Sequence, residues 1–217
     1  MMQKTKIEWV SNLDGTSGYT WNPITGCNGE CDYCYARRIS MRFVGHFKPT
    51  FHPERLDEPK KIRKPSKIFA DSMSDFWGNG TYQTWRDKVY DVMKRTPHTY
   101  YLLTKQPQNI HDWEKHPKNL WVGVSISKYE DRWRIPILFN KGPGKIFVSL
   151  EPILDEMVPD DIYLTDWIII GCLTGCKNLY RPPKETIKNI INTCKRLKIP
   201  LFIKDNVGWH ERIQEFG

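Results

Sequence analysis

The sequence predicts an α/β fold, a partial (β/α)6-type barrel of mostly parallel strands. Short β-branched or aromatic runs recur along the chain and alternate with segments of helical pattern. The runs are nearly continuous in apolar residues, which is typical of strands buried on both faces of a parallel sheet. Strand–helix–strand order with right-handed crossovers then gives either a barrel or an open doubly wound sheet. At 217 residues the chain is short for a full barrel, which typically needs about 250.

Seven short strands are predicted in chain order. The first is YTWNPIT at 19–25, and the others are KIFA at 67–70, TYYLLT at 99–104, LWVGVSI at 120–126, KIFVSL at 145–150, DWIIIG at 166–171 and PLFIK at 200–204. Two helices are clear from their patterns. Residues 81–96 place apolar side chains along one stripe, and residues 182–198 begin with proline and end with basic residues.

We expect one domain covering residues 1–217, because a chain of this length is short for two. Within it, residues 48–67 form the least regular segment, with four prolines and many charges. This segment is either a surface that faces a phosphate backbone or a solvated basic connector. Its basic residues are Arg55, Lys60, Lys61, Arg63, Lys64 and Lys67.

The composition indicates a globular protein with an anionic partner. Apolar residues make up 39% of the chain and aromatic residues 13%, so there is enough material for a core. No apolar run approaches the ~18 residues of a membrane span, and the N-terminus has no signal-peptide pattern, so we expect a cytoplasmic protein without a membrane partner. The net charge of +8 favours a nucleic acid or nucleotide as substrate, although solubility alone also accounts for such an excess.

Polar side chains stand where the predicted strands end. Because the loops after the carboxyl ends of parallel strands converge on one mouth, chemistry is expected there. These residues are Asp71, Ser72, Ser74 and Asp75, then Thr104 and Lys105, Ser125 and Ser127, Ser149 and Glu151, and Lys204 and Asp205. The first predicted strand is followed by cysteines, which would lie at the same mouth.

Cys27, Cys31 and Cys34 have the spacing C-x3-C-x2-C. In a reducing compartment such cysteines are metal ligands, reactive thiols or buried residues rather than disulfides. Soft thiolates suit zinc or an iron–sulfur cluster. Structural zinc needs a fourth ligand, for which His46 is the nearest candidate in sequence. A 4Fe-4S cluster on three thiolates instead leaves one iron without a protein ligand.

This cysteine motif, with Tyr33 before its last cysteine, resembles the signature loop of the radical S-adenosylmethionine superfamily. The rest of the chain resembles a phage and bacterial family of radical-SAM-like proteins of unsettled activity, in KIEW, TWNPITGC, DSMSDFW, LLTKQP, WVGVSI, SLEPIL, DWIIIG and PLFIKDNVGW. Two features depart from that family. Its first two cysteines are commonly farther apart, and it usually has Gly, Glu and Ser after DWIIIG, where this chain has CLTGC.

The resemblance implies a 4Fe-4S cluster whose open iron chelates S-adenosyl-L-methionine. Reduction of the cluster would then cleave the cofactor to a 5′-deoxyadenosyl radical, which abstracts hydrogen from a substrate. By the same resemblance Tyr33 lies against the adenine, Ser72, Ser74 and Asp75 bind the methionine amino group, and Ser125 contacts ribose or carboxylate. Ser149 and Glu151 are further cofactor candidates.

Several of these residues also have a structural interpretation. Ser72 and Ser74 would serve equally as helix caps, and Glu151 as the partner of a nearby lysine. Lys105 and Lys204 either contact an anionic substrate or are solvated lysines.

The remaining cysteines receive separate predictions. Cys172 follows a strand end, where its thiol would donate a hydrogen atom to a substrate radical, as in superfamily enzymes that repair a thymine lesion; the alternatives are a further metal site with Cys176, or packing. Cys194 lies among apolar residues of the last predicted helix and is expected to be buried.

The leading hypothesis is a monomeric radical S-adenosylmethionine enzyme that acts on a nucleic acid or a modified base, as in phage-type DNA modification or repair, and takes its electron from a donor protein. Aromatic residues would stack on an unstacked base, with Trp77, Trp85, Trp113 and Trp133 as candidates, although most tryptophans in a domain of this size belong to the core. Two alternatives remain open. One is a radical enzyme acting on a peptide or small metabolite, and the other is a zinc-stabilised nucleic-acid-binding protein without catalysis.

Overall fold

The computed structural model describes residues 2–111, 113–142, 144–156, 160–173 and 181–217. Its strands are β1 Gln3–Lys4, β2 Tyr19–Trp21, β3 Ile24–Thr25, β4 Thr50–Phe51, β5 Lys67–Ala70, β6 Thr99–Thr104, β7 Leu120–Ser125, β8 Lys145–Leu150, β9 Trp167–Ile170 and β10 Leu201–Ile203. Its α-helices are α1 Tyr35–Phe43, α2 Gln83–Lys94, α3 Arg134–Asn140 and α4 Lys184–Leu197.

Eight of the strands form one sheet in the order β1-β2-β5-β6-β7-β8-β9-β10. β1 pairs with β2 antiparallel, and every other pair in this sheet is parallel. The predicted α/β class with mostly parallel strands is therefore confirmed. The YTWNPIT segment forms two strands instead of one, because Pro23 has no N–H to donate to a ladder. Its second part, β3, pairs with β4 in a separate two-stranded sheet.

The two faces of the large sheet have different coverings. One face packs against the helices through aliphatic residues such as Val122 and Val148. The opposite face carries an aromatic cluster, in which Tyr101, Trp121, Phe147, Trp167 and Phe202 alternate with the helix-facing residues along their strands. Trp9 packs into this cluster at 5.6 Å from Tyr101 and 6.0 Å from Trp167, measured between ring centroids.

The helices follow their apolar patterns to different extents. Helix α2 buries Val89, Val92 and Met93, and α4 buries Ile187, Ile190, Ile191 and Cys194, so both lie on the sheet as predicted. Helix α3 was not predicted from the sequence. It has seven residues and carries Pro136 in its first turn, where a missing N–H is tolerated. Helix α1 differs from the rest, because Ala36 is its one buried residue.

The basic segment 48–67 is more ordered than the predicted connector. It contains β4 and two short 3-10 turns, Pro53–Arg55 and Pro59–Lys61. The Arg55 guanidinium points inward and donates to the backbone oxygen of Asn22 at 3.0 Å. Lys60 and Lys64 are exposed but form ion pairs with Asp57 and Asp14. Across the described part of the chain, no helix has the length and hydrophobicity needed to cross a membrane.

The parallel register brings the strand ends to one edge of the sheet. Ser125 at the end of β7 lies opposite Ser149 of β8, and Leu150 lies opposite Ile170 of β9. The polar residues that follow each strand consequently gather along this edge, which we call the mouth.

Candidate functional site

The cysteine loop leaves β3 through Gly26, which has φ +84. A Cβ at this position would overlap the backbone oxygen of Lys48, so only glycine fits. The Gly26 N–H donates to the Met73 oxygen at 2.9 Å, and the Cys27 N–H donates to the Phe47 oxygen at 3.0 Å. These bonds fix the start of the cysteine loop beside the loop that follows β5.

Each of the three sulfurs accepts a hydrogen bond from an N–H group. Cys27 Sγ accepts from the Gly29 backbone at 3.1 Å, and Cys34 Sγ accepts from the Arg37 backbone at 3.3 Å. The third donor comes from another strand: Lys105 Nζ lies 3.2 Å from Cys31 Sγ. All three cysteines are partly exposed. Hydrogen bonds of this kind stabilise thiolates and tune the sulfurs of iron–sulfur clusters.

Without a bound metal, the surroundings of Cys27 favour the protonated thiol over the thiolate. Burial raises the pKa of its thiol, the Gly29 N–H opposes that rise, and the negative charges of Asp75, Cys31 and Cys34 add to it. A bound metal group reverses this balance, because a coordinating thiol is deprotonated outright.

The chemistry of the donor set suits an iron–sulfur cluster. Among the described residues, no three Cys, His, Asp or Glu side chains converge closely enough to hold one metal ion, and His46 completes no such group. In a cluster each thiolate would bind its own iron, so Cys27, Cys31 and Cys34 would not have to meet at one ion. Soft sulfur ligands with N–H donors match the requirements of an iron–sulfur cluster.

Tyr33 and Lys105 form a polar cluster with Ser127 next to the cysteine loop. The Tyr33 hydroxyl lies 2.7 Å from Ser127 Oγ and also bonds to Lys105 Nζ. The ammonium lies 4.5 Å from the centroid of the Tyr33 ring, within cation–π range. Burial alone would lower the pKa of Lys105, but Tyr33 and Cys31 raise it overall. The prediction of a solvated lysine is therefore wrong for Lys105.

Asp75 is engaged by the protein itself. Its carboxylate accepts from Thr104 Oγ1 at 2.6 Å, from the Lys105 backbone at 2.9 Å and from the Trp77 backbone at 3.3 Å. The side chain is buried, and burial raises its pKa while these donors lower it. These hydrogen bonds fix the end of β6, where the Lys105 ammonium contacts Cys31.

The loop after β5 offers further polar groups. Ser72 Oγ donates to Asn22 Oδ1 at 3.2 Å, whereas the buried Ser74 Oγ has no hydrogen-bond partner in the described part of the chain. Asp71 has φ 54 and accepts from the Ile24 N–H at 3.0 Å through one oxygen; its other oxygen likewise lacks a partner among the described residues. Burial raises the pKa of Asp71 well above its usual range. Neither serine caps a helix, so that structural interpretation is wrong.

The other candidate cofactor residues lie across the mouth. Ser125 is partly exposed, and Ser149 is buried beside it. The carboxylate of Glu151 forms an ion pair with Lys204, as the structural interpretation of Glu151 expects, and this pair leaves Lys204 only 14% exposed. A Cβ on Gly171 would lie 2.6 Å from the Glu151 carboxyl carbon, so the glycine makes room for the pair.

Cys172 lies beside this ion pair and is 1% exposed. Its backbone is held by Asn206, which accepts from the Cys172 N–H at 3.2 Å and donates to the Cys172 oxygen at 3.1 Å. Burial raises the pKa of its thiol, Arg181 and Lys204 oppose the rise, and Glu151 adds to it. Cys176 lies outside the described residues. Cys194 is buried on α4 as predicted, and burial raises its pKa to about 12.

The four tryptophans predicted to stack on a base occupy different environments. Trp77 is 1% exposed in the core, so it is unavailable for stacking. Trp85 is partly buried and stacks on Phe51 at 5.6 Å with an interplanar angle of 12°. Trp113 and Trp133 are 50% and 43% exposed.

Three site residues were not predicted from the sequence: Asn22, Asn206 and Gly171. Each lies within three residues of the end of a strand, and this position can be recognised in the sequence. Their partners come from distant segments, and the amide pair between Cys172 and Asn206 spans 34 residues. The sequence pattern alone does not identify such pairs.

Comparison with solved structures shows a shared fold. A spore photoproduct lyase mutant with bound AdoMet and dinucleoside spore photoproduct has 13% identity, a TM-score of 0.55, and coverage of 91% of this chain and 75% of that chain. A second spore photoproduct lyase mutant, with dinucleoside spore photoproduct, has 14% identity, a TM-score of 0.54 and the same coverage. A radical SAM methyltransferase from Sphaerobacter thermophilus has 11% identity, a TM-score of 0.56, and coverage of 99% of this chain and 79% of that chain.

Identities this low establish the fold alone, which is the partial barrel of radical SAM enzymes. No curated protein matches the sequence. One family of sequences does match, over residues 4–216, and it is described as "Protein of unknown function (DUF5131)". The chain belongs to the DUF5131 family.

Proposed function

We propose that this protein is a radical S-adenosylmethionine enzyme in which Cys27, Cys31 and Cys34 hold a 4Fe-4S cluster. The observation that carries the proposal is the trio of sulfurs, each with its own N–H donor, on a fold shared with radical SAM enzymes. When bound, the cluster and S-adenosylmethionine supply one-electron chemistry that yields a 5′-deoxyadenosyl radical.

The chain's own residues bind and orient the cofactor. Ser74, whose hydroxyl lacks a partner in the described part of the chain, and Ser72 are the residues for the methionine amino group. Asp75 acts as a positioning residue for β6, because its carboxylate accepts hydrogen bonds from Thr104, Lys105 and Trp77.

The remaining cofactor contacts come from both sides of the mouth. Tyr33 presents an aromatic face for the adenine, held by Ser127 and Lys105. Ser125 and Ser149 lie side by side at the ends of β7 and β8 and are proposed for ribose or carboxylate contacts. Glu151, which is paired with Lys204, is a further proposed cofactor contact.

Cys172 is the proposed hydrogen donor to a substrate radical. Hydrogen-atom transfer needs the S–H form, and the raised pKa of this thiol keeps it protonated at neutral pH. The transfer breaks the S–H bond, forms a C–H bond on the substrate and leaves the unpaired electron on the Cys172 sulfur. Cys172→Ala is expected to keep 5′-deoxyadenosine formation but lose transfer of solvent deuterium into the product, which mass spectrometry measures. If Cys172→Ala transferred deuterium at the native level, Cys172 would not be the hydrogen donor.

A nucleic acid or a modified base within one is the proposed substrate class. The net charge of +8 supports this, and so does the fold shared with enzymes whose structures hold a dinucleoside spore photoproduct. Neutralised phosphates make binding strongly salt-dependent. Binding of a DNA or RNA oligonucleotide, measured by fluorescence anisotropy, is expected to weaken steeply between low and moderate salt. A salt-independent affinity would point instead to a peptide or a small metabolite.

The deciding experiment is anaerobic reconstitution with iron and sulfide, followed by reduction with dithionite in the presence of S-adenosylmethionine. The native chain is expected to bind about four irons per chain, as one 4Fe-4S cluster requires, and to form 5′-deoxyadenosine. Cys31→Ala is expected to lose both. Cys194→Ala is the matched control, because this cysteine is buried on α4 away from the mouth. A colourless, iron-free native protein, or a Cys31→Ala variant with native 5′-deoxyadenosine yield, contradicts the proposal.

A further inference from the structure

Three aromatic rings, from β4 and from the start of α2, touch one another at the surface. The Trp85 ring stacks on Phe51 with centroids 5.6 Å apart and an interplanar angle of 12°, and Tyr82 meets Trp85 edge-on at 4.7 Å and 73°. Phe51 and Trp85 are partly buried against the core, whereas Tyr82 is 62% exposed. We call these three residues the Tyr82 platform. Its outermost ring is supported by packing and still faces solvent.

Tyr82 does not help to start the helix that follows it. It is the N-cap residue of α2, a position where Ser, Thr, Asp and Asn are preferred because their side chains accept from the first helical N–H groups. The Tyr82 side chain makes no such hydrogen bond. A tyrosine that neither caps the helix nor fills the core is available to another molecule, and exposed aromatic rings are the groups on which nucleic-acid bases stack.

Two lysines border the Tyr82 platform. Lys88 Nζ lies 5.6 Å from the centroid of the Phe51 ring, and Lys48 comes three residues before Phe51, just ahead of β4. Both lysines are exposed, and neither forms an ion pair with another described residue. Aromatic rings with cations beside them match the two parts of a nucleotide, because the rings stack on the base and the cations contact the phosphate.

The segment that leads into the Tyr82 platform lies against the cysteine loop. The side-chain amide of Asn28, in that loop, donates to the Asn79 backbone oxygen at 2.9 Å. A Cβ on Gly80 would lie 2.7 Å from the same amide nitrogen and 3.1 Å from Pro49 Cγ, so the glycine, with φ +92, allows a close approach. The loop after β5, which starts at the mouth, therefore passes along the cysteine loop before it reaches the platform. A strand bound on the platform would lie beside the mouth.

We infer that the Tyr82 platform stacks a base of a single-stranded nucleic acid, next to the nucleotide that enters the mouth. This inference deepens the proposed function and rests on it. In a duplex the bases are already stacked on their neighbours, so a ring that is offered to the face of a base selects an unpaired strand. Lys48 and Lys88 contact phosphates, which add affinity without reading sequence. A second copy of this chain would place the same lysines against each other, which disfavours a symmetric dimer at this surface.

The test measures binding of labelled oligonucleotides of about 12 nucleotides to the full chain by fluorescence anisotropy. The probes are single-stranded DNA, single-stranded RNA, duplex DNA, and an abasic DNA strand that keeps the phosphates but has no bases. The native chain is expected to bind at least one of the two single strands more tightly than the duplex and the abasic strand. Tyr82→Ala is expected to weaken that binding by on the order of tenfold and to leave the abasic strand unchanged, because it removes only stacking. Tyr82→Phe keeps the ring and should bind as the native chain does.

Two further variants separate stacking from charge and from exposure. Lys88→Gln should weaken the ordinary and the abasic single strands alike, and should lower the slope of log affinity against log salt by about 0.7, the value for one phosphate of a single strand. Tyr163→Ala is the matched control, because Tyr163 is 61% exposed on the segment between β8 and β9. It should leave every affinity at the native value.

Three results would each overturn the inference. They are native affinity for single strands in Tyr82→Ala, an equal loss for the abasic strand in that variant, and a duplex that binds the native chain as tightly as the single strands do. Native binding of the abasic strand by Tyr82→Ala shows that this variant is folded.

The same measurement, made before and after reconstitution, separates this inference from the proposed function, because binding does not require radical chemistry. Binding that depends on Tyr82 in a chain that takes up no iron would leave the inference standing and contradict the proposed function. A reconstituted chain that forms 5′-deoxyadenosine, with native single-strand affinity in Tyr82→Ala, would support the proposed function and overturn the inference.

Discussion

The Lys105 ammonium lies 3.2 Å from the sulfur of Cys31, although the two residues are 74 positions apart in the chain. A positive charge at a ligand sulfur stabilises the cluster state that holds the additional electron, and so raises the reduction potential. Lys105→Met is therefore expected to lower the midpoint potential of the reconstituted cluster by tens of millivolts. A redox titration followed by electron paramagnetic resonance measures the change.

Lys105→Arg is the control for the charge, since it keeps a cation at this position. Its midpoint potential is expected to stay closer to the native value than that of Lys105→Met. Equal potentials in the native chain and Lys105→Met would show that the ammonium does not act on the cluster.

Asp75 is predicted to be essential to the stability of the mouth. In Asp75→Asn an amide N–H2 replaces one acceptor oxygen and faces the Thr104 hydroxyl or the Lys105 N–H, so a buried donor loses its partner. The expected loss in the free energy of unfolding is about 1–3 kcal/mol, measured by urea denaturation. Asp14→Asn is the matched control, because Asp14 pairs with Lys64 at the exposed surface and should change stability little. Equal effects of the two substitutions would contradict the role of Asp75.

Gly171 is predicted to be required for the Glu151–Lys204 pair. An alanine Cβ would lie 2.6 Å from the Glu151 carboxyl carbon, so Gly171→Ala should lower the free energy of unfolding by about 1–3 kcal/mol through overpacking. Glu151→Ala removes the obstructing carboxylate. In the double variant the cost of Gly171→Ala is therefore expected to become small, and a double-mutant cycle measures this coupling. Additive effects would show that the clash does not exist.

Lys67 gives the folded protein a stability that depends on pH. Burial lowers the pKa of its amino group to about 8, and the ammonium lies 3.5 Å from the Phe216 ring centroid without a hydrogen-bond partner among the described residues. A depressed lysine pKa means that, between about pH 8 and the ordinary value of 10.5, the unfolded chain binds a proton that the folded chain does not. The contribution of Lys67 to stability therefore rises with pH across this window.

Lys67→Met should remove that rise and be more stable than the native chain at pH 7, because it no longer buries an unpaired charge. Thermal melting temperatures of both chains, measured from pH 7 to pH 10, check the prediction. Parallel pH profiles for the two chains would exclude Lys67 as the source.

Most strands could be predicted from the sequence, because each is marked by the residues of its own short segment. The predicted strands at 67–70, 99–104 and 145–150 match β5, β6 and β8 to the residue, since each is an apolar run ended by polar residues. The two-residue strands β3 and β4 carry no such run, and their pairing follows from chain geometry after Pro23. Helix α3 is too short for its periodicity to stand out.

Less of the candidate site could be predicted from the sequence. The three cysteines were predicted as ligands from their spacing, and the Gly29 and Arg37 donors lie within the same short segment. The role of Asp75 was not readable, because it depends on the register between β5 and β6, which brings Thr104 and Lys105 to its carboxylate. Polar residues at strand ends identify where the mouth lies, but the pairs that they form follow from tertiary structure.

The separation in sequence between Lys105 and the cysteine loop also matters while the protein is being made. Ribosomes add about 5–20 residues per second, so the nascent chain presents Cys34 roughly 4 to 14 seconds before Lys105 is synthesised. During that interval the thiols emerge without the ammonium and without the later strands that position it. All three proposed cluster ligands therefore exist before the lysine that contacts Cys31 has been synthesised, and cellular reductants would have to keep these thiols from oxidation during that interval.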